Sequence, residues 1–430
     1  MKTVCMYSDQ LYLVGGVESV VRDLYALLPK SGIRVVAVSE VGKPDWIAES
    51  DYQVLSVDPE ARRQLWKAWL ERHHPDCVVF NYVSRQFVDM VKEDIRLIRS
   101  LGYRCAHLVH SAFPTPMLLA EDELFYREVS AVADECDAVF TVSGVDAKWW
   151  TALGHKALKI QNPIRLPHKE PVPKKGEGPV ELLWVGRPMS PKRPELAVEA
   201  FARARSLGAD IRLTMVGGRQ KGWRPSQRLA KKLKVDDRID FLEARSDISD
   251  LWNRADIHLL TSVTESFCLV LAEAKAMGIP TVMFSIPYLE LTASHKGLVE
   301  VEQEDVEAMA REIVRLAADR DLRSRLGAEA SASLAGFDDA TVVADWNRAL
   351  TALATGEGYV SVDDDFRAVV RHCVFGWNRF CDANLKVVAG NRDWRKLSGG
   401  LLGFGLLSSV ARFGVSLARK IKAVLRSVGK

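Results

Sequence analysis

The residues best equipped for chemistry lie in one run, Thr264-Glu265-Ser266-Phe267-Cys268-Leu269-Val270-Leu271-Ala272-Glu273, followed by Ala274-Lys275-Ala276-Met277-Gly278-Ile279-Pro280. The run follows an apolar strand segment and reads as a turn entering a helix. Its two glutamates then stand about two helical turns apart, Glu265 at the helix mouth and Glu273 deeper along one face. Amides at a helix start, with the positive end of the helix dipole, suit a phosphate. Carboxylates suit sugars, because each can accept paired hydrogen bonds from a vicinal diol. Phosphate and sugar recognition in one segment describes a nucleotide-sugar site, although an ordinary amphipathic helix with two exposed acids would account for the segment taken alone.

Two further elements carry the same chemistry. In Trp184-Val185-Gly186-Arg187 a strand-end glycine precedes Arg187, and Lys192 follows five residues later, ahead of a helix from Pro194. That spacing can bring two cations onto one diphosphate and neutralise charge that builds on a leaving group. Two basic loop residues are otherwise simply solvated. At the first strand-to-helix turn, Gly15-Gly16 lacks Cβ atoms, so backbone there can approach an anion closely. No Asp-x-Asp pair stands in a plausible donor position. The seven cysteines, Cys5, Cys77, Cys105, Cys136, Cys268, Cys373 and Cys381, show no Cys-x-x-Cys spacing. No metal or redox centre is therefore expected, and the thiols read as small buried apolar groups of a reducing compartment.

The elements that must hold these residues alternate along the chain. Apolar strand runs read at 2–7, 33–38, 77–80, 105–109 and 138–142, then at 182–185, 212–216, 239–242, 257–260 and 281–284, with helical spacing between most of them, as at 194–206. Such alternation implies right-handed crossovers and parallel sheets covered on both faces. The predicted organisation is α/β: a Rossmann-like domain over 1–165, a Pro- and Gly-rich linker over 166–179, and a second Rossmann-like domain over 180–339. A helix over 340–356 is expected to close the second half, and 357–430 forms an extension. Two doubly wound halves of this kind place a ligand in a cleft where the carboxyl ends of their strands face each other.

Composition narrows the class. The 430 residues are 48% hydrophobic and 27% charged, as in soluble globular chains. The formal net charge is +3, yet residues 394–430 hold eight Lys or Arg and no acid, which leaves the remainder net acidic. A uniformly basic nucleic-acid binder is excluded on that distribution. The N-terminus enters an apolar run without the layout of a secretion signal, and a cytoplasmic location is expected. In the tail, Leu406, Val410, Phe413, Leu417, Ile421, Val424 and Val428 share one helical face, with Arg412, Arg419, Lys422 and Arg426 opposite. Too short to span a bilayer, this stretch would lie on an anionic membrane surface or pack on protein. Arg62-Arg63, Trp66, Lys67, Trp69 and Arg72 mix basic and aromatic residues in a way that suits lipid headgroups or a solvated helix face.

Taken in this order, the motifs resemble the retaining glycosyltransferases of the GT-B type, specifically the family-four group (glycosyl transferases group 1) with its sucrose synthases, mannosyltransferases and lipopolysaccharide-core enzymes. The resemblance covers roughly residues 1–350. It rests on Val185-Gly186-Arg187 with Lys192, Val216-Gly217-Gly218, Arg254-Ala255-Asp256-Ile257, the paired glutamates, and Gly278-Ile279-Pro280-Thr281-Val282. In the first half it rests on Gly15-Gly16, a strand ending in His110, a strand ending at Ser143, and Asn162-Pro163-Ile164. It implies a GT-B fold and a UDP- or GDP-sugar as co-substrate, with no metal. Arg187 and Lys192 would hold the donor diphosphate, Glu265 the donor sugar hydroxyls and Glu273 the ribose diol. Ser266, Phe267 and Cys268 would line the donor site with Gly15 and Gly16, the Gly16 N–H reaching the phosphate. His110 would approach the donor sugar near the reacting centre, with His107, inside the strand, a weaker candidate. Either histidine alone is more often a packed structural one.

The reaction implied is sugar transfer with net retention at the anomeric carbon, onto a glycan or lipid-linked acceptor at the cytoplasmic face of a membrane. Two departures touch donor preference: Cys268 stands where the family often has Gly, and Ile286-Pro287-Tyr288-Leu289-Glu290 replaces the usual Gly-Gly-x-x-Glu turn. A nucleotide-sugar epimerase or hydrolase on the same fold is the first rival and would release free sugar or an epimer without acceptor. A non-catalytic nucleotide-sugar-binding subunit is the second.

Overall fold

Apolar residues concentrate in short runs that bury completely. Val4, Cys5, Met6 and Tyr7 in the first strand are fully enclosed, as is the Val36-Ala37-Val38 run of the second. Strands hydrophobic on both faces belong in the middle of a parallel sheet covered by helices, and that is the arrangement in a computed structural model describing residues 2–13, 15–113, 123–164, 178–219, 221–368 and 370. The described residues divide into two units, those up to 161 with those from 342 onward, and those within 162–341.

The first unit contains β1 (Lys2–Ser8), β2 (Ile33–Ser39), β3 (Tyr52–Val54), β4 (Cys77–Tyr82), β5 (Cys105–Val109), β6 (Ala138–Thr141) and β7 (Ala157–Lys159), in the order β3-β2-β1-β4-β5-β6-β7. The second contains β8 (Val180–Val185), β9 (Ile211–Gly218), β10 (Ile239–Glu243), β11 (Ile257–Leu260), β12 (Thr281–Phe284) and β13 (Leu298–Val301), in the order β10-β9-β8-β11-β12-β13. Every pairing is parallel. Both sheets are doubly wound, and each reverses its strand order at one place, between β1 and β4 in the first and between β8 and β11 in the second. Loops leaving the carboxyl ends of two such strands diverge and open a crevice, the usual ligand position in open α/β sheets.

At the carboxyl end of β9 the backbone runs against that of β8. Gly217 has φ +119°, and a Cβ there would fall 2.6 Å from the Gly186 carbonyl oxygen. No side chain fits, and the contact fixes where the loop carrying Arg187 leaves the sheet.

The helix Asp339–Thr355 does not close the second half. From Val342 onward it packs on the first unit, burying Val342, Trp346, Ala349 and Leu350. Asp345 Oδ2 accepts from the Gln161 amide at 2.9 Å, Arg348 donates to the Lys159 carbonyl at 3.0 Å, and the Trp346 ring meets Phe140 edge-on. A Trp-bearing apolar stripe needs a sheet face, and here the one it covers lies early in the chain.

The helix Pro59–His73 departs from the headgroup reading. Arg62, Trp66 and Trp69 turn inward, with Arg62 only 3% exposed, while Arg63, Lys67 and Arg72 remain outside. The Arg62 guanidinium donates to Glu40 Oε1 at 2.6 Å and Oε2 at 2.8 Å, and to Asp94 Oδ1 and Oδ2 at 2.9 and 2.6 Å; the Tyr7 hydroxyl donates to Glu40 at 2.6 Å. A buried cation so paired is structural. The amphipathic stretch 406–428 lies outside the described residues, as do Cys373 and Cys381. Cys5, Cys77, Cys105, Cys136 and Cys268 are free thiols. Among the described residues no helix is long and apolar enough to cross a membrane.

Candidate functional site

In the second unit the predicted residues converge where β8 and β11 part. Lys192 ends a single 3₁₀ turn, Ser190–Lys192, after β8, and the loop after β11 is knitted to it. The Val263 amide donates to the Pro191 carbonyl at 2.9 Å and the Thr261 hydroxyl to the Lys192 carbonyl at 2.7 Å. Thr261 is itself anchored, accepting from Trp184 Nε1 at 2.9 Å within the core. On this base the Lys192 ammonium donates to Glu265 Oε1 at 2.6 Å, and the Ser262 hydroxyl donates to the same oxygen at 2.6 Å. The Glu265 side chain is 9% exposed and that of Lys192 27%, so the pair sits below the surface with the cation nearer to water. Burial by itself depresses the Lys192 pKa, but the Glu265 carboxylate outweighs it and the value ends above that of an ordinary lysine. Arg187, exposed on the same loop, opposes this rise, which shows that the two cations lie within electrostatic reach of each other.

Cys268 caps the helix Leu269–Ala276 with φ 65° and ψ 71°, the left-handed region that favours glycine. That geometry explains why the resemblance leads to glycine at this position. No side chain caps the helix start, whose first amides have no intrahelical acceptor by construction. The thiol is buried, which drives its pKa well above the usual cysteine range; Glu265 adds to the rise, Lys192 opposes it, and Glu273 contributes a smaller upward push. Glu273 Oε2 accepts from Trp252 Nε1 at 3.1 Å, which fixes one of its oxygens. Phe267 points inward, 3% exposed, against Phe337; Ser266 is half-buried.

The left-handed cap yields a stability prediction. Cys268→Gly relieves strain of about 1 kcal/mol while losing a small buried group, and is expected to unfold in urea within about 1 kcal/mol of the parent chain. Cys268→Val places a β-branched residue at positive φ and is expected to cost about 2 kcal/mol. Equal stability of the Val variant would show that the conformation carries no strain.

In the first unit, Gly15 is extended and the helix Gly16–Leu27 begins directly after it without a side-chain cap. A Cβ on Gly16 would meet nothing within 4 Å, so the space over this turn is open. His110 follows β5. Its Nε2 lies 3.2 Å from Asn81 Oδ1, and Asn81 Nδ2 donates to the Tyr7 and Val79 carbonyls at 3.2 and 3.3 Å. With the Asn81 amide so oriented, Nε2 carries the histidine proton and Nδ1 is the acceptor nitrogen. Burial lowers the His110 pKa to about 4, so the ring is neutral at physiological pH. The loop beyond it is pinned: the Phe113 amide donates to Asp146 Oδ1 at 2.8 Å, and its ring stacks on Trp149. His107 is 4% exposed inside β5 and, chiefly through burial, its pKa falls to about 3, the profile of a packed structural histidine.

Sequence reasoning missed Asn81, Ser262, Trp252 and Asp146. Each acts through a residue that the sequence does point to, and none stands in a pattern that reveals its partner. Among the described residues no group of three or more His, Cys, Asp or Glu could hold a metal ion.

Comparison with known proteins places these features in a family context. Residues 167–333 match the sequence model of the family described as Glycosyl transferases group 1. D-inositol 3-phosphate glycosyltransferase of Stackebrandtia nassauensis is 29% identical over 217 residues, 48% of this chain and 46% of that protein. The chain spans about half or less of the length of such curated relatives. Among solved structures, sucrose-phosphate synthase from Thermosynechococcus elongatus superposes with a TM-score of 0.67 at 18% identity, covering 83% of this chain and 100% of that one. HepE of Anabaena, solved with UDP-glucose, gives 0.65 at 16% identity, covering 82% and 100%. These likenesses establish the fold as GT-B.

Proposed function

We propose that this GT-B chain, a relative of the group 1 glycosyl transferases, moves a sugar from a nucleoside-diphosphate sugar to an acceptor with retention at the anomeric carbon. The observation that carries the reading is the Lys192–Glu265 pair, set where β8 and β11 diverge and beside an uncapped helix start. An anion arriving there meets Arg187, Lys192 and the first amides of the helix Leu269–Ala276, while the two glutamates flank it with acceptor oxygens for hydroxyls. A diphosphate with a sugar at each end satisfies all of these at once. HepE, a protein of the same fold, is known with UDP-glucose bound.

In this reading Arg187 and Lys192 stabilise the nucleoside diphosphate as it departs. Glu265 holds the donor sugar hydroxyls and Glu273 the ribose diol. Ser266, Phe267 and Cys268 offer backbone at the helix mouth. From the first unit, the Gly16 amide is assigned to the phosphate, and neutral His110 to a hydrogen bond accepted at Nδ1 from a donor sugar hydroxyl. Attack comes from the face that the diphosphate leaves, and the departing phosphate oxygen takes the acceptor proton. The acceptor is a glycan or a lipid-linked acceptor, met at the cytoplasmic face of a membrane, and Arg412, Arg419, Lys422 and Arg426 supply contacts to anionic lipid.

A melting-temperature screen of UDP- and GDP-sugars tests the donor assignment. A ligand at a hundred times its dissociation constant stabilises the native state by about 2.7 kcal/mol, a clear rise in Tm. One nucleotide series is expected to give that rise, and no rise with any of them would sink the proposal.

A further inference from the structure

In the loop after β12, Ile286-Pro287 stands in place of a glycine pair and Tyr288 follows it. Tyr288 extends its hydroxyl to Thr264 Oγ1 at 2.6 Å. Thr264 is 4% exposed and immediately precedes Glu265. The strands β11 and β12 are neighbours in the sheet, so their loops emerge side by side. Gln303 Nε2 joins the two, donating to the Ser262 and Ser285 carbonyls at 3.3 and 3.1 Å.

Tyr288 is held rigidly. Ile286 and Leu289, 1% and 2% exposed, anchor the turn on either side of it. The Leu289 amide donates to the Ile286 carbonyl at 3.1 Å, and the Thr292 hydroxyl donates to the Leu289 carbonyl at 2.8 Å. A fixed phenol meeting a buried threonine leaves the following residue little freedom. A preorganised carboxylate binds hydroxyls more tightly than one that must first be ordered.

We infer that Tyr288 is a positioning residue for donor-sugar recognition: through its hydrogen bond to Thr264 it sets the turn that carries Glu265. The inference rests on the donor-site reading above and assigns Tyr288 to the sugar end of the donor rather than to the nucleotide.

The test is calorimetric, comparing a nucleoside diphosphate with its sugar conjugate, UDP and UDP-glucose first and GDP and GDP-mannose if the screen selects guanine. Tyr288→Phe keeps the ring and removes the hydroxyl; Thr264→Val removes the partner. Each is expected to bind the bare diphosphate as the parent does and to lose about three- to tenfold of the extra affinity that the sugar confers. Because both changes break one bond, the double variant is expected to lose no more than either single one. Thr264→Ser should restore the parent behaviour. An unchanged sugar increment in Tyr288→Phe, or equal weakening of diphosphate and conjugate, overturns the inference while leaving the donor site standing. A parent chain that binds neither ligand overturns the donor-site reading, and this inference with it.

Discussion

Lys192→Ala is expected to lower the turnover of sugar transfer about a hundredfold or more, with the protein still folded. Removing one preorganised charge partner of a developing anion costs about 10²–10³ in rate, or about 2.7–4 kcal/mol. Lys192 fits that description on three counts. Its backbone is fixed by the Thr261 hydroxyl and the Val263 amide bond to its neighbour, its side chain is only 27% exposed, and Glu265 holds its proton on. The variant also leaves Glu265 without the cation that balances it, so binding of the donor sugar should suffer along with the departure of the diphosphate. Lys192→Arg keeps the charge in a planar, longer group that cannot reproduce a point contact at 2.6 Å, and intermediate loss is expected there. Single-turnover rates at saturating donor separate the chemical step from binding. Near-normal rates in Lys192→Ala would remove the cation from the mechanism.

His110→Ala is expected to cost about ten- to a hundredfold in kcat/KM, the worth of a part-buried hydrogen bond whose partner is left unsatisfied. Its pH behaviour is the sharper feature. With the pKa depressed to about 4 by burial, the ring stays neutral through the range where an ordinary histidine titrates. The sign follows: protonation, and with it loss of the Nδ1 acceptor, occurs only as pH falls through about 4. The parent profile should therefore lack an acid limb near pH 6.5, about the pKa of an unperturbed histidine. A limb at that pH which disappears in His110→Gln would show that the ring titrates normally and is not held by Asn81 and burial as described.

The central strands of both sheets are legible in the sequence because runs such as 77–80 and 182–185 are apolar throughout, as strands covered on both faces must be. The edge strands Tyr52–Val54, Ala157–Lys159 and Leu298–Val301 have three or four residues each, too few for a period to show. The helix Asp339–Thr355 was readable as a helix but not by destination, because a stripe bearing Trp346 says that it must be covered and not by which sheet. Arg62 misleads for a related reason: its partners Glu40 and Asp94 stand 22 and 32 positions away, and a basic residue beside tryptophans looks like a surface feature until they are placed.

The same holds at the site. Residue types and order point to Arg187, Lys192, Glu265 and Glu273, but the direct bond between Lys192 and Glu265 spans 73 residues and belongs to the sheet topology. Cys268 was visible only as a departure from glycine; its φ of 65° supplies the reason why glycine suits that place. Asn81, which sets the proton on His110, has no sequence signal, since an asparagine at a strand end commonly meets nothing but backbone.

A crystal structure of the chain with a bound nucleoside-diphosphate sugar puts the whole proposal to its most direct trial. The pyrophosphate should lie between the Arg187 guanidinium and the Lys192 ammonium at the start of the helix Leu269–Ala276, with Glu265 on the sugar and His110 of the first unit within hydrogen-bonding distance of it. A ligand seated elsewhere, with the Lys192–Glu265 bond untouched and His110 turned away, would contradict it.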